Sequence, residues 1–311
     1  MNYKFELVDW ININNLNWDF LSINPNAIDL LEENKNKINW ALLPANPNPK
    51  TFKLLMEYPN KINWNLLSIS TYKEAIDFLK ENPDKIDWFY LSSNPNALDI
   101  LQNNQDKIIW RELSKNTNPI AIQLLRNNFH KINWVYLSKN TCDDAIKLLK
   151  ENKNKIHWAV LSANQNPKAF KLLMKYPHKI NFATLSSNSN PKAIKLLIQN
   201  SHKINLNYLY LNPKIMTIIK KLPHLSSINN SQLSLVEDAI DFLKNNQDYI
   251  DWTFISKNPA IFNIKYNYDE IKNKNQILNQ EILFKALHPK RLLKLMEIYG
   301  EDEIYNCFFD Y

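Results

Sequence analysis

Lysines recur at fixed places along this chain, and a row of ammonium groups is chemistry for holding carboxylates or phosphates. Lys147, Lys150, Lys168, Lys171, Lys175, Lys192 and Lys195 fall in successive segments resembling Asn-x-Asn-Pro-Lys-Ala-Ile-Lys-Leu-Leu. A second row, Lys131, Lys155, Lys179 and Lys203, stands three residues before Trp134, Trp158, Phe182 and Leu206. Residues 101–220 carry 19 Lys+Arg against 5 Asp+Glu, a net +14. They lie between residues 1–100, at 9 against 13, and residues 221–311, at 10 against 13. Such a face suits phosphates or an acidic protein, although only Arg111 and Arg126 supply guanidinium groups there. The basic middle is the candidate binding ridge, and a lysine face that serves solubility alone is the plainer reading. A second candidate ridge, Phe89, Tyr90, Arg111 and Tyr136, consists of residue types enriched at protein contact hot spots. Partial burial in the core is its plainer reading.

Catalytic chemistry finds no comparable constellation. His130, His178 and His202 occupy a register held elsewhere by Asn60, Asp84 and Asn154, and His157 stands where Asn133 and Asn181 stand. They read as exchangeable loop and capping residues rather than metal ligands, since no His or Cys pair with ligand spacing accompanies them. One glycine, Gly300, excludes glycine-rich phosphate loops. Cys142 and Cys307 lack a spacing motif, which fits a reducing compartment. Asp143 and Asp144 open a helix, where negative charge suits the dipole. Glu301-Asp302-Glu303 reads as the solvated start of a last helix. The expectation is a chain that is not an enzyme and needs no cofactor or metal.

The elements that would position the lysines follow from a repeat. Trp18, Trp40, Trp64, Trp88, Trp110, Trp134 and Trp158 stand 22 or 24 residues apart, Phe182 and Leu206 continue the beat, and Trp252 resumes it. The unit reads Lys-Ile-Asn/Asp-Trp-x-x-Leu-Ser-x-Asn-x-Asn-Pro-x-Ala-Ile-x-Leu-Leu-x-x-Asn. Its second half carries a helix: Asn166 caps, Pro167 starts, and Ala169, Phe170, Leu172 and Leu173 make one apolar face. Asp87 to Ser92 reads as a short capped helix before it. With so little glycine, asparagine is expected to fill left-handed helix ends. Units this small fold only by stacking. Leucine-rich horseshoes share the period, but Ala41, Phe89, Arg111, Val135 and Ala159 stand where their second strand leucine belongs.

These patterns predict an all-α fold, an α-solenoid of about ten two-helix repeats with a helical C-terminal cap. The expected divisions are an N-terminal cap (1–17), a repeat array (18–222), a loop or bend (223–235), a further repeat (236–262) and the cap (263–311). The tryptophan ladder, with Trp252, is expected to form the structural core, so that Trp134→Ala would cost roughly 3 to 5 kcal/mol.

The units Asn-Pro-Lys-Ala-Ile-Lys-Leu-Leu and Lys-Ile-Asn-Trp-x-x-Leu-Ser-x-Asn, with an ending like Ala-Leu-His-Pro-Lys-Arg-Leu-Leu-Lys-Leu-Met-Glu-Ile-Tyr-Gly, resemble the short Trp/Asn/Pro helical repeat proteins of giant DNA viruses of protists, the Mimivirus-like group. The resemblance covers about residues 10 to 262 and implies a repeat fold and a viral origin, not an activity. No span of 18 apolar residues and no signal peptide is apparent, so a soluble cytoplasmic chain with no membrane partner is expected, in the host cytoplasm, viral factory or virion. The function expected is a non-catalytic scaffold for protein–protein interactions, a viral factor. The alternative is a basic, sequence-independent nucleic-acid-associated protein in a replication, translation or packaging assembly.

Overall fold

The computed structural model describes residues 3–222, 230–300 and Ile304. Helices dominate, and the one sheet among the described residues pairs two short strands, β1 (Tyr3–Leu7) and β2 (Phe262–Tyr266). The chain clusters into two units, Glu6–Asn263 and Met1–Phe5 with Ile264–Tyr311. The first is an all-α repeat array. The second contains the helices Tyr268–Ala286 and Pro289–Tyr299. Glu301-Asp302-Glu303 and Cys307 lie outside the described residues.

Most repeats begin with a residue whose side chain caps a short helix; Ile109 is an exception. Asn133 accepts the Tyr136 N–H at 3.0 Å to open Trp134–Lys139, and Asp87, Asn17, Asn63, Asn181, Asn205 and Asp251 act alike. A turn then leads to the longer helix, capped at its start by a second asparagine with proline at the first position, as in Asn118 before Pro119–Asn127 and Asn166 before Pro167–Leu173. Leu21, Leu43, Leu67, Leu91, Leu113, Leu137, Leu161, Leu185, Leu209, Leu233 and Ile255 are buried at one register of the short helix. Together they mark eleven units. The segment 223–235, expected as loop, therefore contributes the short helix Asn230–Leu233 to one of them; residues 223–229 are outside the described set.

The long helices do not end in left-handed asparagine. No residue other than glycine has positive φ among those described. Asn128 and Asn152 instead take φ near −123° and −124° with ψ of 50° and 59°, and their side-chain amides donate to Leu124 O and Leu148 O four residues back. The side chain closes an orphan carbonyl that a left-handed cap would have closed through the backbone. Single-turn 3₁₀ helices such as Phe129–Lys131 and Lys153–Lys155 then carry the chain to the next unit, a third element the sequence pattern hid inside its loops.

Successive units are held by buried serine and asparagine. Ser138 Oγ donates to Trp134 O (2.7 Å) and accepts the His157 N–H of the next unit (3.0 Å). Asn140 Nδ2 donates to Ser114 O (3.1 Å) and Asn116 O (2.8 Å) of the preceding unit, while its Oδ1 accepts Cys142 N–H (2.9 Å). The same rung recurs at Asn46, Asn94, Asn116, Asn164, Asn188 and Asn212. Where Ser70 replaces the asparagine its hydroxyl reaches only Pro44 O across units, and nearby Tyr72 OH and Thr51 Oγ1 are buried without partners. Burial pushes the Tyr72 phenol up to about 12.

The ladder closes on itself. Asn24 Nδ2 donates to Ser256 O (3.0 Å) and Asn258 O (3.1 Å), Asn17 N–H donates to Ser256 Oγ (2.8 Å), and Asn26 Nδ2 donates to Pro259 O (3.0 Å). Other units make bonds of the same kind to their predecessors, and here the first unit makes them to the last. Asn258 in turn donates to Ser234 O, and Ile215–Ile219 packs against Glu237–Ala239, so the order of stacking is circular. Val8 N–H to Ile261 O (2.9 Å) and the β1–β2 pair fasten the seam. Residues 1–17 are expected as an N-terminal cap and 263–311 as a C-terminal cap; the chain instead groups Met1–Phe5 with Ile264–Tyr311. Successive short helices touch one another along the array, and so do successive long ones.

Closure makes a sharp prediction. Asn24→Ala and Asn140→Ala should each destabilise by about 2–4 kcal/mol, because each leaves buried carbonyls and an N–H unpaired. Urea unfolding followed by circular dichroism reads both. An unchanged midpoint for Asn24→Ala beside a lowered one for Asn140→Ala would mean that the array is open.

Candidate binding surfaces

The tryptophans are not in the core. Trp18, Trp40, Trp64, Trp88, Trp110, Trp134, Trp158 and Trp252 are all half-buried, whereas the leucine or isoleucine three residues later in each unit is fully enclosed. Each indole lies at the edge of its unit. Trp64 stacks on Phe78 (5.3 Å), Trp40 and Trp158 tilt against Tyr58 and Tyr176, and Phe129 meets Trp134 edge-on. The open face is covered by the lysine that precedes the next tryptophan: Lys37 over Trp18 at 4.6 Å, Lys61 over Trp40 at 5.0 Å, Lys107 over Trp88 at 4.9 Å and Lys131 over Trp110 at 4.3 Å. Lys203 covers Phe182 in the same way at 4.6 Å. These contacts join neighbouring units by cation–π attraction, worth about 0.5–1 kcal/mol at exposed sites. Much of the loop lysine row is therefore engaged within the repeat.

Phe89, Tyr90, Arg111 and Tyr136 lie on three successive short helices. Phe89, Arg111 and Val135 hold one register on three successive short helices; all three are exposed, and Tyr90 and Tyr136 beside them are half-buried. Arg111 Nε donates to Tyr136 OH at 3.2 Å. Phe89 meets Tyr90 edge-on at 5.4 Å. Two residues that sequence reasoning passed over organise the cluster. Lys115 Nζ lies 4.3 Å from the Tyr136 ring centre and 6.0 Å from that of Phe89, and it reaches Glu112 Oε2 at 2.5 Å. Glu112 is buried, and its Oε1 has no hydrogen bond and lies 3.7 Å from Arg111 Nε. A carboxylate in a register that Leu66, Tyr90, Tyr136 and Val160 fill elsewhere was the signal that could have found it. Ile109 is exposed where other units place a polar cap.

The basic ridge also resolves. Lys147, Lys150, Lys168, Lys171 and Lys175 line one groove of about 500 Å³ between the helices Asp143–Glu151 and Pro167–Leu173. Lys192 and Lys195 are exposed on the following long helix, Pro191–Gln199, and do not line it. Lys168 pairs with Asp143 at 2.6 Å. Asp143 also accepts from Asn166 Nδ2 at 2.8 Å, and that bond, followed by the one from Lys168, holds its carboxyl below the usual aspartate range.

His157 caps its helix through Nδ1, which accepts from Val160 N–H at 3.3 Å, and His130, His178 and His202 are exposed in 3₁₀ turns. Among the described residues no group of three or more His, Cys, Asp or Glu is placed to hold a metal, and no helix is long and apolar enough to cross a membrane. No protein-family model, curated protein or solved structure matches the chain.

Two measurements follow. Leu137→Ala should cost about 2–5 kcal/mol and exceed Trp134→Ala, because only the leucine leaves an enclosed cavity; denaturation midpoints in the opposite order would return tryptophan to the core. Asp143 should titrate below an ordinary aspartate by carboxyl NMR, and Asn166→Ala should raise its pKa more than Lys168→Ala does. Since the folded pKa is depressed, its contribution to stability is present above the unfolded pKa and is lost as pH falls through the folded value.

Proposed function

We propose that the chain is a non-catalytic repeat scaffold that docks a protein partner on its short-helix patch. One observation carries this reading: Phe89 and Val135 expose apolar surface in one register on the short helices that flank the one carrying Arg111, around an Arg111–Tyr136–Lys115–Glu112 cluster. Exposed apolar residues framed by charge are the composition of an interface core with a polar rim. A partner held there would bury the aromatic rings and meet Arg111 and Lys115 at the edge. The alternative, nucleic-acid association, draws support from the +14 middle. It is weakened by the arginines of that region, since Arg111 is bonded to Tyr136 and Arg126 to Glu151. The viral origin implied by the repeat motif enters only as the choice of cell in which to look for the partner.

Affinity purification from infected protist cells, with wild-type chain and with Phe89→Ala and Tyr136→Ala as baits, tests the proposal. The partner recovered by wild type should be lost by both variants, each of which should weaken the isolated complex by about 1–3 kcal/mol. Binding should change little between low and moderate salt. Recovery of the same proteins by all three baits rejects the patch, and recovery that nuclease treatment abolishes returns the function to nucleic acid.

A further inference from the structure

The groove between the long helices Asp143–Glu151 and Pro167–Leu173 has a composition that names its occupant. Its walls carry Lys150, Lys171 and Lys175, for which no ion pair is formed among the described residues, and Lys147, whose charge acts on Glu151 of the same helix. Its floor is apolar, formed by the buried side chains of Ile146 and Leu172. Its far end carries the carboxylates of Asp143 and Asp144 at the start of the first helix. Lys147 and Lys171 hold the same register on the two helices, so stacking sets their ammonium groups on either side of the groove.

We infer that this groove docks an acidic segment of a partner protein, with carboxylates toward the four lysines and an apolar side chain on Ile146 and Leu172. Charge complementarity selects an anion. The apolar floor selects its class, because a phosphate backbone has no aliphatic group to set on it. No arginine lines the groove to clasp a phosphate in bidentate fashion. The inference shares no residue with the short-helix patch and stands whether or not that patch binds protein.

Fluorescence anisotropy with the full chain tests it, using three labelled probes: a glutamate-rich peptide with leucine at every fourth position, the same peptide with serine for leucine, and an oligothymidylate. The leucine peptide should bind most tightly, and K147E/K171E should weaken it at least about tenfold at low salt, since repulsion replaces attraction within a Debye length. Y136A should leave this binding unchanged, which separates the groove from the patch. K220E/K221E makes the same change of net charge outside the groove and should also leave it unchanged. Oligothymidylate binding as tight as the leucine peptide's and equally sensitive to K147E/K171E would assign the groove to nucleic acid and overturn the inference. Equal affinity for the leucine and serine peptides, equal losses in K147E/K171E and K220E/K221E, or no peptide binding at low salt would overturn it too. So would self-association by light scattering that K147E/K171E abolishes, because a second copy would then fill the groove.

Discussion

The array depends on one buried side chain in nearly every unit, an asparagine whose amide closes carbonyls of the unit before it; only Ser70 and Val236 stand in its place. The turn between the short and long helices is buried, and buried carbonyls must be paired. Asparagine suits the place because it offers two donors and an acceptor on a short stem. Asn116, Asn140, Asn164 and Asn188 use both donors across the unit boundary and the acceptor within their own turn. Repeats of 22 and 24 residues coexist because the difference falls after this rung. Ala27 and Ala97 follow their asparagines by three positions, Ala121 and Ala145 by five, and all four are fully buried. The rung is conserved in geometry while the turn beyond it changes length.

The loudest signal in the sequence was not the one that holds the fold. Tryptophan announced the period, yet it lies at the unit edge beneath the next unit's lysine, where an amphipathic ring gains from both an apolar floor and a cationic cover. The helices, their asparagine and aspartate caps and their starting prolines were legible because capping is a local chemistry that repeats with the pattern. The helix ends were less so: an asparagine can close a carbonyl through its backbone or its side chain, and one sequence permits both. Circular closure was hidden for a different reason, since it depends on the rotation between units, which no single unit spells out. One trace of it was present. The end units of an open array replace their outward apolar surface with polar residues, but Leu21, Asn24, Ala27 and Ile28 keep the interior pattern unchanged.

Departures from register carried the surfaces, and the same logic explains which departures were read. Arg111 and Tyr136 stood out as residue types, and the structure joins them. Glu112 and Lys115 did not stand out as types and needed the register to be noticed: an acid in an apolar row, and a lysine that only Lys139 and Lys257 match at that position in other units. The lysines divide by the same test. Those of the Lys-Ile-Asn-Trp segment belong to the architecture in five units, where they cover an aromatic ring, so their abundance says little about binding. Lys147, Lys150, Lys171 and Lys175 cover nothing and face a groove.

Closure also constrains how such a groove can work. An open solenoid bends like a spring, because each interface contributes a small change of angle to the whole and nothing fixes the two ends. In a circular array the angles must sum to one full turn, so widening one groove requires others to narrow against packed leucines and paired asparagines. Protein interiors yield little to such strain. The spacing between Asp143–Glu151 and Pro167–Leu173 is therefore set by all eleven units together. Recognition at a pre-set width costs less ordering than recognition by a surface that must first be shaped, and it discriminates by size: a segment too wide for the groove cannot make the ring give way.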